Sequence, residues 1–562
     1  MKAFVTRVAN LATLIPRLNT RSDAATATQT LPHSNPKATE PLAAEEVEPT
    51  DTEQLGRGPK TADPGPDQIY PSAKLREVID VDPLLETTQR EALYKVVERN
   101  QAAFGFDGRL GHLRSEVHIE LMPGTKPISM APYYASPAKR EAIDKQVDLW
   151  LSQGVIEESR SPWGAPVIIV YRNSKPRVCI DFRRLNKATV ADQHPIPKQT
   201  DILQALSGAQ YLSVFDALSG FTQLEFDEVS RPITAIRTHR GLHQFKRMPF
   251  GWRNGPPVFQ RAMQEILSPF LWIFTLVYID DIVVYSKTFK DHLEHVDSVL
   301  KAIASSGLTL SPPKCHIGYR SIVVLGNIVS RLGLSTHHEK LKAMWELEAP
   351  SDKKKLEMFL GLAVYFSAYI PYFSWMANPL FKNLRQKETP FVWSSNHQKC
   401  FELIKLALVS APVRGHPEPG QTYRLYTDAS DYAIAGALQQ IQYIAIKDLK
   451  GTRIHKRLHE LYKKGEKVPE LVTRLSKDHD DRRPILEWQA NWERTLVPVE
   501  RVVAYWSRVL APAETRYSAT EREALAAKES LVRFQPFIEG ERVLLVTDHS
   551  ALTWAKTYEN VN

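Results

Sequence analysis

Cysteine is scarce: the 562 residues carry three, Cys179, Cys315 and Cys400. They are far apart and none belongs to a Cys-x-x-Cys pair, which argues against a disulfide framework and a structural zinc site. A reducing compartment suits such a chain. Long apolar runs are also missing. The best stretch, 266–279, is interrupted by Ser268, Pro269 and Thr275 and ends on two Asp, whereas a membrane span needs roughly 20 apolar residues. No Gly-x-x-x-x-Gly-Lys-Ser/Thr loop occurs, so ATPase-type phosphate cradling is not expected. No internal repeat stands out. What the chain does have is length for several domains, 43% hydrophobic residues to fill their cores, and a net charge of +8, which suits a polyanionic partner.

The stretch Leu271–Lys287 organises the rest. Two apolar runs rich in β-branched and aromatic residues flank Asp280 and Asp281, the pattern of a buried hairpin. Buried hairpins usually turn on Gly, Asn or Pro. Two adjacent carboxylates there repel each other, a cost that a cation between them removes. Tyr211–Asp216 reads as a further strand ending on an acid. Three carboxylates at strand ends, Asp216, Asp280 and Asp281, form the hard-oxygen set that nucleotidyl transfer needs to hold two divalent ions about 3.5–4 Å apart. Upstream, Lys175, Arg177 and Arg183 can neutralise an incoming triphosphate.

Along the chain, residues 1–72 read as a disordered leader, Pro-, Thr-, Ala- and Glu-rich with few aromatics. The first thirty have the texture of a mitochondrial transit peptide, but no amphipathic stripe follows. Helical spacing covers Asp82–Phe104 and Ser136–Gln153. Val167–Tyr171 and Arg177–Phe182 are strands across the turn Arg172–Pro176, whose basic tip reads as a solvated turn or an anion clasp. A Gly/Pro loop at Pro249–Gln260 opens a helix. Phe289–Ser305 is an amphipathic helix, and its His292 and His295, lacking a third ligand nearby, read as helix surface. Gly307–Gly333 is strand-like and Lys340–Leu384 mainly helical. Tyr423–Asp428 is another strand ending on an acid. The charged, weakly patterned stretch 441–500 looks inserted, with short helices at most; regular pattern resumes at Arg501–Trp506. A helix over Thr520–Phe534 and a strand over Arg542–Thr547, ending on Asp548, close the pattern.

Tyr278-Ile-Asp-Asp281 resembles the catalytic box of reverse transcriptases. The order of motifs is similar to the polymerase of gypsy-type LTR retrotransposons: Ser161–Pro166 and Arg177–Lys187 in the fingers, Phe215–Phe221 around the first carboxylate, Met248–Gln260 next, and Leu325–Val329 at the primer grip. The resemblance runs from about Ser72 to the end. It implies that Asp216 and Asp280 bind both metals with Asp281 in support, and that Arg177 and Arg183 meet the triphosphate and template. It puts Phe221 at the gate that rejects a 2′-hydroxyl, Phe250 and Gln260 under the nascent pair, and Lys314 near the leaving pyrophosphate.

Asp428, Glu523 and Asp548 make a second acidic set. Tyr426–Ser430, Glu521–Leu525 and Thr547–His549 resemble the ribonuclease H domain of the same elements. Three carboxylates on one edge of a mixed sheet again suit two Mg²⁺ ions, here activating water against an RNA phosphodiester. The family's fourth acid or His, expected after that last strand, is not seen before the chain stops. Nor is an Asp-Thr-Gly protease triplet or a His/Cys integrase pattern, so the chain reads as a polyprotein fragment or degraded copy.

The expectation is therefore an α+β multidomain chain: a right-hand polymerase of fingers, palm and thumb followed by a ribonuclease H-like mixed α/β domain. Its parts are 1–72 leader, 73–335 fingers and palm, 336–420 thumb or connection, and 421–562 nuclease-like. The cofactor expected is Mg²⁺, two per site, with Mn²⁺ a substitute. The partners expected are RNA and DNA template-primer, deoxynucleoside triphosphates and a second copy in a dimer, with no membrane. By resemblance it resides in a cytoplasmic particle or the nucleus. The competing reading is an inactive remnant that binds nucleic acid.

Overall fold

A computed structural model describes residues 69–547 apart from 173–174, 337–341, 343, 386–389, 410–413, 451–452, 470 and 474–485. The expected disordered leader, apart from its last few residues, and Asp548 lie outside the described residues. The chain forms two compact units that divide between Arg331 and Leu332. The stretches 336–420 and 421–562, expected as separate domains, belong to one of them.

The first unit contains, in chain order, β1 (Asp80–Val81), α1 (Thr87–Arg99), α2 (Pro137–Ser152), β2 (Ala165–Arg172), β3 (Lys175–Ile180) and β4 (Tyr211–Asp216). Then come α3 (Gly255–Leu267), β5 (Thr275–Tyr278), β6 (Asp281–Ser286), α4 (Phe289–Ser306) and β7 (His316–Tyr319). One sheet has the spatial order β1-β7-β4-β6-β5. β2 and β3 join Ile156–Glu158, Ile236–Thr238 and Gly241–Phe245 in a second five-stranded sheet. β4 lies between β7 and β6 and is buried through Phe215, so it carries apolar residues on both faces rather than alternating. α3 and α4 bury Met263, Leu267, Val296, Val299, Leu300 and Ile303 in the same core. Thr288 caps α4 by accepting the Asp291 N–H, and Gly307 ends it at φ 84°, where a Cβ would strike the His112 carbonyl at 2.5 Å.

One sequence expectation is corrected on α4. His292 is fully buried, not on the helix surface. Its Nε2 bonds Ser213 Oγ at 2.8 Å and its Nδ1 bonds Ser286 Oγ at 3.0 Å, and burial pushes its pKa down to about 3. His295 stacks on Phe274 with centroids 3.8 Å apart. Ser213 lies 79 residues away on β4 and Ser286 at the end of β6, before the helix starts, so the helical window alone reveals neither.

The second unit begins with α5 (Lys353–Tyr365), α6 (Phe373–Arg385) and α7 (Ser395–Val409), whose core includes Phe359, Leu360, Phe366, Leu380 and Phe401. It continues with β8 (Tyr423–Ala429), β9 (Ala433–Ala445), α8 (Arg453–Lys463), β10 (Leu496–Val509), α9 (Ala519–Ile538) and β11 (Val543–Val546). The sheet order is β10-β9-β8-β11, with only the β8–β11 pair parallel. The expected insertion boundaries shift. β9 and β10 pair from Ala433↔Val509 out to Ala445↔Leu496, so the excursion is 446–495. Gln440 hid this extension, being polar yet buried: its amide donates to the carbonyls of Glu418 and Gln421 at 2.9 and 3.1 Å. All three cysteines are free thiols, and among the described residues no helix is long and apolar enough to cross a membrane.

Candidate active site

β5 and β6 form the hairpin expected of 271–287, with Tyr278 opposite Asp281 at its end. β6 also pairs with β4, and there Asp281 faces Asp216 directly. Direct partners in an antiparallel ladder have Cβ atoms ~5 Å apart, so two like charges share one rung. Asp280 occupies the tip, its carbonyl accepting the Ala217 N–H at 3.2 Å. The tip turns on Ile279 at φ 54°, a strained conformation for a β-branched residue.

Gln260 on α3 secures that strained tip. It is fully buried, its Oε1 accepts the Ile279 N–H at 2.7 Å, and its Nε2 donates to the Val277 carbonyl at 3.2 Å. Gln260, expected in the helix under the nascent base pair, spends both ends of its amide on the hairpin and supports it from beneath.

The electrostatics follow from burial. Asp280 is pushed up to about 7 by desolvation and then by the Asp216 and Asp281 charges. Asp281 is pushed up to about 6 by desolvation and Asp216. Asp216 is also raised, mainly by desolvation, against the pull of Lys314, whose Nζ lies 3.2 Å from Asp216 Oδ1. Asp280 Oδ1 is buried without a hydrogen-bond donor. It lies where a Cβ on Gly220 would come within 2.7 Å, so only glycine leaves the carboxylate its room. A buried carboxylate oxygen without a donor, beside two further acids, is a donor set that suits a hard divalent cation. In this conformation no three carboxylate, imidazole or thiol side chains among the described residues close on one point. Asp216 pairs with Lys314.

Around the carboxylates, Phe221 is buried and packs on Phe250 and Phe259 with centroids 4.9 and 5.6 Å apart. Phe250 is 51% exposed. Arg183 is exposed but committed: its Nε and Nη2 grip Asp181 at 2.8 and 2.7 Å, holding that carboxyl well below the usual range, and Tyr133 Oη donates to the same acid at 2.8 Å. Sequence reasoning passed over Asp181, whose spacing two residues before Arg183 was the available signal. Arg177 is exposed on β3, and Lys175 lies at the start of that strand opposite Arg172.

In the second unit, Asp428 sits near the end of β8 and Glu523 is buried on α9. Glu523 Oε1 accepts the Ala429 N–H at 3.1 Å, which ties Glu523 to the residue after Asp428. Tyr426 is opposite Val546 on β11, each two residues before an expected acid. Tyr372, not foreseen, donates its hydroxyl to Asp428 Oδ2 at 3.0 Å from a backbone at φ 54°. Two Ser374–Ser507 hydrogen bonds, at 2.9 and 2.6 Å, hold that segment on β10.

Comparison with known proteins agrees with this geometry. Residues 169–361 match the family model for reverse transcriptase (RNA-dependent DNA polymerase), and 393–445 and 485–562 match models of the RNase H-like domain found in reverse transcriptase. The chain thus carries a reverse-transcriptase domain and RNase H-like segments, and the relatives below are retroelement and viral polyproteins. The Drosophila melanogaster Pol polyprotein from transposon 297 is 29% identical over 80% of this chain and 37% of its own length. That from transposon opus is 28% identical over 88% and 46%. The cauliflower mosaic virus (strain Strasbourg) enzymatic polyprotein is 30% identical over 79% and 58%. The chain thus spans less than half the length of these transposon relatives. Among solved structures, a foamy viral protease-reverse transcriptase in complex with dsDNA has a TM-score of 0.70 at 19% identity, covering 88% of this chain and 92% of that one. The foamy viral enzyme with an RNA/DNA hybrid gives 0.65 at 19%, covering 87% and 58%. This likeness shows the fold alone: a polymerase fold followed by a ribonuclease H-like domain.

Proposed function

We propose that this chain is an RNA-directed DNA polymerase of an LTR retrotransposon, acting through two divalent ions, with a ribonuclease H-like domain that cleaves the RNA of RNA–DNA hybrids. The observation that carries the reading is the Asp216–Asp281 cross-strand pair with Asp280 at the adjoining tip, all three partly buried and raised. Asp216, Asp280 and Asp281 would hold the metal; bound there, it would supply Lewis-acid stabilisation of the attacking oxygen and leaving phosphate. The chain's own residues do the rest. Gln260 and Gly220 fix the position of the Asp280 carboxylate, and Lys314 places a cation beside Asp216. The Phe221 ring, next in the chain to Gly220 and packed on Phe250, would exclude a ribose 2′-hydroxyl. The substrates are a template-primer and deoxynucleoside triphosphates, with Lys175, Arg177 and Arg183 on the triphosphate side. In the second unit Asp428, Glu523 and Asp548 would hold the nuclease ions.

Primer extension on an RNA template with Mg²⁺ tests the polymerase, with Asp280→Asn as control. Extension abolished by that substitution supports the reading; no extension by the unaltered chain leaves a nucleic-acid-binding remnant. Hybrid cleavage, with Asp428→Asn as control, tests the nuclease separately.

A further inference from the structure

The described residues of the 446–495 excursion form a built module. α8 presents three faces. Ile454, Leu458 and Leu461 turn inward, and Leu458 packs with Ile446, Leu449, Val497 and Val499. His455, His459 and Tyr462, spaced along a second face, meet Trp492; the His459 and Tyr462 rings stack on it with centroids 5.0 and 5.5 Å away. Trp488 sits edge-on to Tyr462 and donates its indole N–H to the Glu466 carbonyl at 2.7 Å.

The mount is rigid. Buried Glu500 accepts the Thr473 N–H at 2.8 Å and pairs with buried Arg424 at 3.3 Å, while Arg424 also donates to the Thr473 carbonyl at 2.9 Å. Leu471 bridges to Val499 on β10.

The outer face of α8 and the turn after it carry Lys456, Arg457, Lys463, Lys464 and Lys467, all exposed and none within ion-pairing distance of an acid among the described residues. Glu460 and Glu466 are the acids among them. Solvation alone is served by either sign, and crowded like charges destabilise a helix. A face with five cations against two acids, on a stiff support, is instead the arrangement that attracts a polyanion.

Position adds to this. Asp428 is opposite Ala435, and the module leaves the sheet after Ala445 on the same strand. Ten residues of strand span ~33 Å, close to the ~34–36 Å of one duplex turn. We infer that the outer face of α8 is a docking surface for the sugar–phosphate backbone of a nucleic-acid duplex, about one turn along the strand direction from Asp428. This rests on the reading of the chain as one that binds nucleic acid.

The test uses the full chain carrying Lys456→Glu, Arg457→Glu, Lys463→Glu and Lys464→Glu, and a labelled RNA–DNA hybrid titrated over a salt series. The hybrid should bind at least ~10-fold more weakly at moderate salt, and the slope of log affinity against log salt should fall by about three to four, near 0.9 per lost phosphate contact. A parallel set with the three lysines changed to Arg should keep both. Tryptophan fluorescence reports whether the ring stack survives. A charge-reversed chain with an intact stack and unchanged affinity and slope overturns the inference while leaving the proposed function standing. An unaltered chain that binds no hybrid at any salt overturns both.

Discussion

Gln260 and Ile279 are joined by a 2.7 Å hydrogen bond that spans from α3 to the hairpin tip, and through it a buried amide sets the backbone that carries Asp280. Replacing Gln260 by Leu leaves the Ile279 N–H unpaired in the interior, at a cost of ~1–3 kcal/mol. The expected outcome is a fall in kcat of at least ~10-fold for single-nucleotide extension with KM for the nucleotide little changed, since the tip acts on the transition state more than on ground-state binding. A KM effect alone would show that Gln260 contacts the nucleotide.

Gly220→Ala acts on the same carboxylate from the other side. Its Cβ would lie 2.7 Å from Asp280 Oδ1 and 2.8 Å from Phe259 Cζ. Extension should drop about as far as in Asp280→Asn, with folding retained by circular dichroism. Near-normal extension would show that Asp280 has freedom the structure does not grant it.

Acidity gives a third expectation. The Asp280 and Asp281 carboxyls, at about 7 and about 6, titrate above the ordinary 3.8, so the folded chain holds these protons more tightly than the unfolded one. Their destabilising effect is absent below pH ~4, grows as pH rises, and is complete above pH ~7. Metal-free, the unaltered chain should therefore lose Tm relative to Asp280→Asn across that window. Mg²⁺, binding the ionised form, should narrow the gap on its upper side. A Tm difference independent of pH would refute the burial argument.

Phe221→Ala removes the ring packed on Phe250. Discrimination against ribonucleotides, read as the ratio of kcat/KM for deoxy and ribo substrates, should fall by ~10–200-fold, the range that one side-chain contact commands. Unchanged discrimination would remove Phe221 from the gate.

Tyr372 occupies an oxygen of Asp428 that a nuclease metal would need. Tyr372→Phe should lower the Mg²⁺ concentration for half-maximal hybrid cleavage and leave primer extension unchanged. A higher Mg²⁺ requirement would mean that the hydroxyl orients the carboxylate instead of competing for it.

Legibility in the sequence followed the locality of the signal. The β4 strand ending on Asp216 and the helices at Pro137–Ser152 and Phe289–Ser306 stand within a residue or two of their sequence-derived ends, because periodicity and caps are local, while the hairpin's first strand starts at Thr275, four residues later than expected. His292 was misread because Ser213 and Ser286, which make its burial tolerable, come from other segments. The outer halves of β9 and β10 were hidden by Gln440 and neighbouring polar residues, whose partners are loop carbonyls. At the polymerase site the three acids were readable from their strand ends. Gln260's work on Ile279, the Asp181 clasp on Arg183 and the reach of Tyr372 to Asp428 were not, since each depends on a tertiary approach.

Ala445 and Leu496 are partners on the last rung of the β9–β10 ladder. Whatever lies between them departs and returns at one point, so its length can change without re-registering a single strand, and each doubling costs only ~0.6 kcal/mol in closure entropy. The fold thus offers a cassette slot, where descendants of this chain can exchange one appendage for another while the scaffold carrying Asp428 and Glu523 stays as it is.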